Sequence, residues 1–176
     1  VIFSPHPDDD VISMGGTFDR LVSQGHEVHI AYQTSGNIAV SDHDALRYLE
    51  VASDVLDSEK SEVLLNLKKV FKRLNPQQPA PREICNLKGN IRKRESLAAT
   101  RYFGIPDKQV HFMNLPFYET GLIAKNPISE KDVDLTIQLI ESIKPHQIYA
   151  AGDLADPHGT HRVCLDVIFK ALEHLK

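Results

Sequence analysis

A chain of 176 residues with 41% hydrophobic and 25% charged positions is the size of one ordinary globular domain and can bury a real core. Twenty Lys and Arg against twenty-four Asp and Glu leave a formal charge of -4, which removes the basic footprint that a nucleic-acid or anionic-membrane partner needs. No apolar run approaches the roughly 20 residues that cross a bilayer. Cys85 and Cys164, without C-x-x-C spacing, read as free thiols of a reducing, cytoplasmic compartment.

Val1-Ile2-Phe3 is short and apolar, and Ser-Pro-His-Pro follows it, then a helical pattern carrying Val11, Ile12, Phe18, Leu21 and Val22. Val1 lacks an initiator Met or a charged leader and already reads as strand interior, so a piece of a longer chain is expected, not a signal peptide. Gly25 closes the helix, and Val28, Ile30 and Tyr32 alternate toward Thr34-Ser35-Gly36, which predicts a second strand parallel to the first. Gly15-Gly16, with no G-x-G-x-x-G around them, read as close helix–sheet packing. Helices are predicted over 42–56 and 59–74, the second with Val63, Leu67, Val70, Phe71 and Leu74 as a core stripe. Residues 75–82 hold three prolines and read as a loop within one domain spanning 1–176. A helix over 91–103 stops at Gly104-Ile105-Pro106, a strand over 110–115 follows, then a helix over 130–143, a buried strand over 147–151 and a last helix from Asp156-Pro157 to about His174. This alternation predicts an α/β, Rossmann-like three-layer sandwich around a mostly parallel sheet.

In such sheets reactive groups gather beyond the carboxyl ends of the strands, and two clusters of metal-type ligands fall there. His6-Pro7-Asp8-Asp9-Asp10 puts one imidazole and three carboxylates on a proline-restricted loop. Asp156-Pro157-His158-Gly159-Thr160-His161 places His158 and His161 at i and i+3 of the expected helix start. A hydrolytic zinc site commonly takes three His or Asp/Glu ligands, and His6, one Asp and His161 meet that count, with a spare carboxylate to receive a proton. The bland alternatives are an acidic helix start and two solvated histidines.

Pro5 to Asp10 resembles the P-H-P-D-D-E signature of the PIG-L/LmbE family of zinc-dependent N-deacetylases. Asp156 to His161 is similar to that family's later H-x-x-H segment, and Thr34-Ser35-Gly36 and Arg92-x-x-Glu95-x-x-x-Ala99 with Gly104 extend the likeness. Leu115-Pro116-Phe117-Tyr118-Glu119-Thr120-Gly121 and the 152–161 run resemble the LmbE-like domain fused behind a glucosamine-6-phosphate deaminase-like domain. The resemblance implies one zinc ion per chain on His6, Asp9 and His161, Asp8 as general base and then acid, His158 at the oxyanion and Arg92 at the substrate's polar head. It implies deacetylation of an N-acetylglucosamine-type sugar, sugar phosphate or conjugate, a small-molecule partner, and a deaminase-like fusion. A homo-oligomer is left open. The other classes weighed are a non-catalytic sugar-binding or regulatory domain and a nucleotide-binding Rossmann domain, the latter disfavoured by the missing glycine fingerprint.

Asp10 stands where relatives have Glu, and Thr160 where many have Asp, so His158 needs another acidic partner, for which Asp153 and Asp156 are the candidates. Phe117 stands near a substrate-binding Asp of relatives. Tyr118 and Glu119 are candidates for the pocket wall. Lys88, Arg92, Lys93 and Arg94 form a basic set able to receive a phosphate. The remaining histidines, His29 and His111 among them, lack ligand spacing.

Overall fold

The fold comes from a computed structural model, and the structure describes residues 1–56, 61–75, 78–153 and 155–176. Four parallel strands, β1 (Ile2–Ser4), β2 (Ile30–Tyr32), β3 (Val110–Phe112) and β4 (Tyr149–Ala150), form a sheet in the order β3-β2-β1-β4. Ile2 pairs with Ile30 and Tyr149, and Ile30 with Val110. The helices are α1 (Asp9–Ser23), α2 (Asp42–Val55), α3 (Glu62–Phe71), α4 (Arg82–Tyr102), α5 (Glu130–Ile143) and α6 (Thr160–His174).

Side-chain alternation along the strands splits the core in two. Ile2, Ile30, Tyr32 and Val110 pack with Phe18 of α1 and Leu97 of α4, whereas Phe3 and Ala31 pack with Val133 and Ile140 of α5 and Ile168 and Ala171 of α6. Helices thus cover both faces, which is why β1 and β2 are buried throughout. The three-layer α/β sandwich is the one expected from sequence. No helix among the described residues is long and apolar enough to cross a membrane.

Several boundaries differ from the expected ones. α4 begins nine residues before Ile91, because Asn86, Gly89 and Asn90 are weak helix formers that hide a helix held by buried Ile84. The stripe on α3 is only partly core: none of its residues is fully buried and Val63 is 69% exposed, but Phe71 packs against the buried Val40, Ala45 and Ile91. Residues 59–60 of that predicted helix lie outside the described residues, as do Pro76, Gln77 and Leu154. β4 is half-buried, because it is the sheet's edge. Ile12 is exposed, and a Cβ on Gly16 would meet nothing within 4 Å, so only Gly15 lies in the packed layer. Gly25, at φ 82°, does end α1 in the left-handed region that favours glycine.

The sheet also joins two histidines that sequence spacing keeps apart. His29 Nδ1 lies 2.9 Å from His111 Nε2, and Glu27 Oε1 lies 3.3 Å from the other nitrogen of His29. Burial first, and then the neighbouring His29, holds His111 below the ordinary histidine range. The folded chain therefore resists a proton that the unfolded chain takes up near pH ~6.5. Stability present above that pH is lost as the pH falls toward the folded value. Calorimetry should show His111→Gln flattening the fall in Tm between about pH 7.5 and about pH 5.5; an unaltered slope rejects the assignment.

Candidate active site

The loop between β1 and α1 is organised by its own acids. The backbone N–H of His6 donates to Asp9 Oδ2 at 2.8 Å, and the N–H of Asp8 returns to the His6 carbonyl at 3.0 Å. Asp10 is buried, accepting from the Tyr32 hydroxyl at 2.9 Å and the Ser4 hydroxyl at 3.3 Å. Burial raises its pKa, against the pull of these donors. The shorter side chain at this position therefore has a complete set of partners. Behind the loop, Thr34 donates its hydroxyl to the Pro5 carbonyl at 2.7 Å. Gly36 takes φ 63°, and a Cβ there would come within 2.8 Å of the Pro7 ring. That explains why Thr34-Ser35-Gly36 belongs beside a proline-bound acidic loop.

The second ligand segment comes from the β4–α6 connection. α6 starts at Thr160, after Gly159 at φ 70°, four residues later than predicted, so His158 lies on the preceding loop and is exposed. Asp156 does not cap the helix as its first residue. Its buried carboxylate accepts the backbone N–H groups of His158 at 3.0 Å and His161 at 2.9 Å, and these donors outweigh burial in lowering its pKa. Asp156 is thus the anchor of His161. Asp156→Ala should cost about 1–2 kcal/mol in urea unfolding, the range of a lost cap, with Asp156→Asn retaining part of it. Equal stability of the alanine variant and the parent rejects the anchor.

These two segments meet at one point. His6 Nδ1, Asp9 Oδ2 and His161 Nε2 lie 3.2 Å from one another on every side. Burial pushes Asp9 up, but the His6 ring, the His6 N–H and the charge of His161 together hold its pKa below the usual carboxylate value. Among the described residues this is the group of His, Cys, Asp or Glu side chains able to hold a metal ion. Its shape fits zinc: ligands about 2.0–2.1 Å from a tetrahedral ion are about 3.3 Å apart. The donor set fits as well, since two imidazole nitrogens and an acidified carboxylate face each other with no lysine or arginine between them. The outer nitrogen of His161, Nδ1, is buried without a hydrogen-bond partner, and Asp153 Oδ2 stands 3.8 Å from it. Asp153 therefore flanks His161, and no hydrogen bond joins the His158 ring to Asp153 or Asp156 among the described residues.

Asp8 lies outside the triangle. Its Oδ2 is 2.8 Å from Arg92, whose guanidinium also donates to the Pro7 carbonyl and, at 2.9 Å, to Glu95. The Arg92-x-x-Glu95 spacing is thus a brace one helical turn long, directed at the acidic loop. The Tyr118 ring stands edge-on to His6 with centroids 5.7 Å apart, and burial, then Glu119, pushes its hydroxyl up to about 12. Glu119 accepts from the Ser35 N–H and the Asn37 amide, both at 3.1 Å.

Residues 1–172 match the family model described as PIG-L, GlcNAc-PI de-N-acetylase. The chain belongs to the PIG-L family. The whole domain, from β1 through most of α6, falls within the match, which assigns de-N-acetylase-type hydrolysis at the level of the family. A curated relative from Bacteroides thetaiotaomicron, named a glucosamine-6-phosphate deaminase-like protein, is 53% identical over 180 residues. That alignment covers 98% of this PIG-L chain but 27% of the relative, so the chain spans about a quarter of the relative's length.

Proposed function

We propose that this domain is a zinc-dependent hydrolase that removes the N-acetyl group from an N-acetylglucosamine-type sugar, sugar phosphate or conjugate. The reading is supported above all by the His6, Asp9 and His161 triangle with edges of 3.2 Å, beside a carboxylate, Asp8, that the triangle leaves free. His6, Asp9 and His161 would hold one ion per chain. When bound, that ion supplies a Lewis acid that polarises the amide carbonyl and makes water acidic near pH ~7.

The chain's own groups do the remaining work. Asp8 takes the proton from water as a carbon–oxygen bond forms at the acetyl carbon, then delivers it to nitrogen as the carbon–nitrogen bond breaks, leaving acetate and a free amine. Arg92 holds Asp8 in place through the 2.8 Å ion pair, beside the substrate's polar head. His158, tethered by its backbone N–H to Asp156, supplies a donor where negative charge develops on oxygen. The relative's name motivates a phosphorylated amino sugar as substrate and a deaminase-like domain as partner within a longer chain.

Metal analysis of protein purified without chelator, paired with amine release from N-acetylglucosamine and its 6-phosphate, tests the reading. About one zinc per chain is expected, with release abolished by chelation and restored by zinc. Full activity in metal-free protein, or none in the loaded protein, would overturn it.

A further inference from the structure

Ser35 and Glu119 also line a pocket of about 700 Å³, with no triangle residue in its walls, that opens between the first half of α4 and the segment 112–121. Arg82, Asn86, Asn90 and Lys93 recur on α4 at steps of three and four, so one helix face forms a whole wall. Gly89 brings that face against the catalytic side, since a Cβ there would come within 3.3 Å of the Ser35 Cβ. Asn114 lies on the opposite wall.

The lining carries more positive than negative charge, Arg82 and Lys93 against Glu119. The amides of Asn86, Asn90 and Asn114 are exposed and without a protein hydrogen-bond partner, and the half-buried Lys93 has no carboxylate partner, among the described residues. The Lys93 ammonium instead stands 4.8 Å from the centre of the Phe112 ring. Glu119 is the one carboxylate lining the pocket, and Ser35 and Asn37 already donate to its oxygens. A half-buried ammonium with no carboxylate beside it, in a pocket whose one carboxylate is already engaged, suits an anion with several oxygens.

Of the basic residues on α4, only some are free to bind it. Lys88 is held by Asp42 at 2.7 Å, and Arg92 by Asp8 and Glu95. Arg82 lies eleven positions from Lys93, about 16 Å along the helix, too far for the two to grip one phosphate easily. Along the axis of α4, Lys93 is level with Arg92 and one turn from Gly89, whereas Arg82 is two turns from Gly89.

We infer that this pocket seats an anionic, phosphate-class substituent of the substrate on Lys93, with Asn90 and Asn114 as further donors, so that the domain selects phosphorylated over neutral N-acetylated amino sugars. The inference rests on the deacetylase reading for the identity of the substrate, but not for the binding itself.

Calorimetry on the zinc-loaded protein with N-acetylglucosamine 6-phosphate and with N-acetylglucosamine tests it, alongside amine release from each. The 6-phosphate should bind more tightly, with inorganic phosphate competing. Lys93→Met should weaken its binding about 10–100-fold, the range for one charge-assisted hydrogen bond. The neutral sugar should stay within about twofold, and Lys93→Arg should keep most of the affinity. Asn114→Ala, which removes a donor and no charge, should weaken the 6-phosphate selectively as well. Equal binding of the two sugars, or a 6-phosphate affinity indifferent to both Lys93→Met and Asn114→Ala, overturns the pocket assignment. Tight, Lys93-dependent binding without amine release would sink the deacetylase reading and leave the pocket standing. Amine release from both sugars, indifferent to Lys93, would do the reverse.

Discussion

Replacing Asp8 by Asn is expected to lower amine release about 10²–10⁴-fold, the span that a positioned general base contributes, while bound metal stays at the level of the parent protein. The separation of the two effects follows from position. Asp8 is not a corner of the His6–Asp9–His161 triangle, and its carboxylate is oriented by Arg92 at 2.8 Å. Asn keeps the shape and removes only the capacity to accept and return a proton. Arg92 still has Glu95 and the Pro7 carbonyl, so the loop keeps its brace. Metal content by emission spectroscopy and kcat with saturating substrate decide the matter. A variant within about tenfold of the parent rate, or one that has lost its metal, removes Asp8 from the role assigned to it.

His161→Ala has the complementary signature: metal content falls from about one ion per chain to less than about a tenth, and activity falls with it. Two donors from a single loop then remain, His6 and Asp9, which is fewer than the three protein ligands zinc keeps in a hydrolytic site. Added zinc is expected to raise the Tm of the parent protein and to leave that of the variant unchanged, because a ligand that binds only the folded state stabilises it. Retention of a full equivalent of zinc by His161→Ala would place the ion somewhere other than between β1 and β4. Together the two variants separate holding the ion from moving the proton.

Some of this was legible in the chain. α5 appears over Glu130–Ile143 as predicted, because a periodic apolar face coincides there with a capping box of Ser129 and Asp132. The H-P-D-D-D segment announces itself because its ligand atoms sit on one short, proline-restricted loop, where spacing alone brings His6 and Asp9 together. Other features were not legible because their cause is distant in sequence. The first half of α4 depends on packing against Ser35 and the rest of the core, which its own asparagines and glycine do not advertise. The start of α6 yields to the Asp156 carboxylate, which takes backbone N–H groups in a turn instead of capping the first helical turn directly. His29 and His111 meet only because β2 and β3 are neighbours.

The amino-acid sequence by itself determined which chemistry was available: the ligand types, the acidic loop, the alternation that requires a parallel sheet, and the family to which those motifs belong. Which groups converge was decided by the strand order. β4 pairs with β1 on the side away from β2, so the chain reverses direction across the sheet there and opens a crevice beyond the strand ends. His161 enters that crevice opposite His6, while Arg92 reaches Asp8 from α4. Short runs of Ile, Phe, Tyr and Ala satisfy any place in a sheet equally well, so their hydrophobicity carries no information about neighbours. The neighbours follow from how helices close over both faces of the whole sheet.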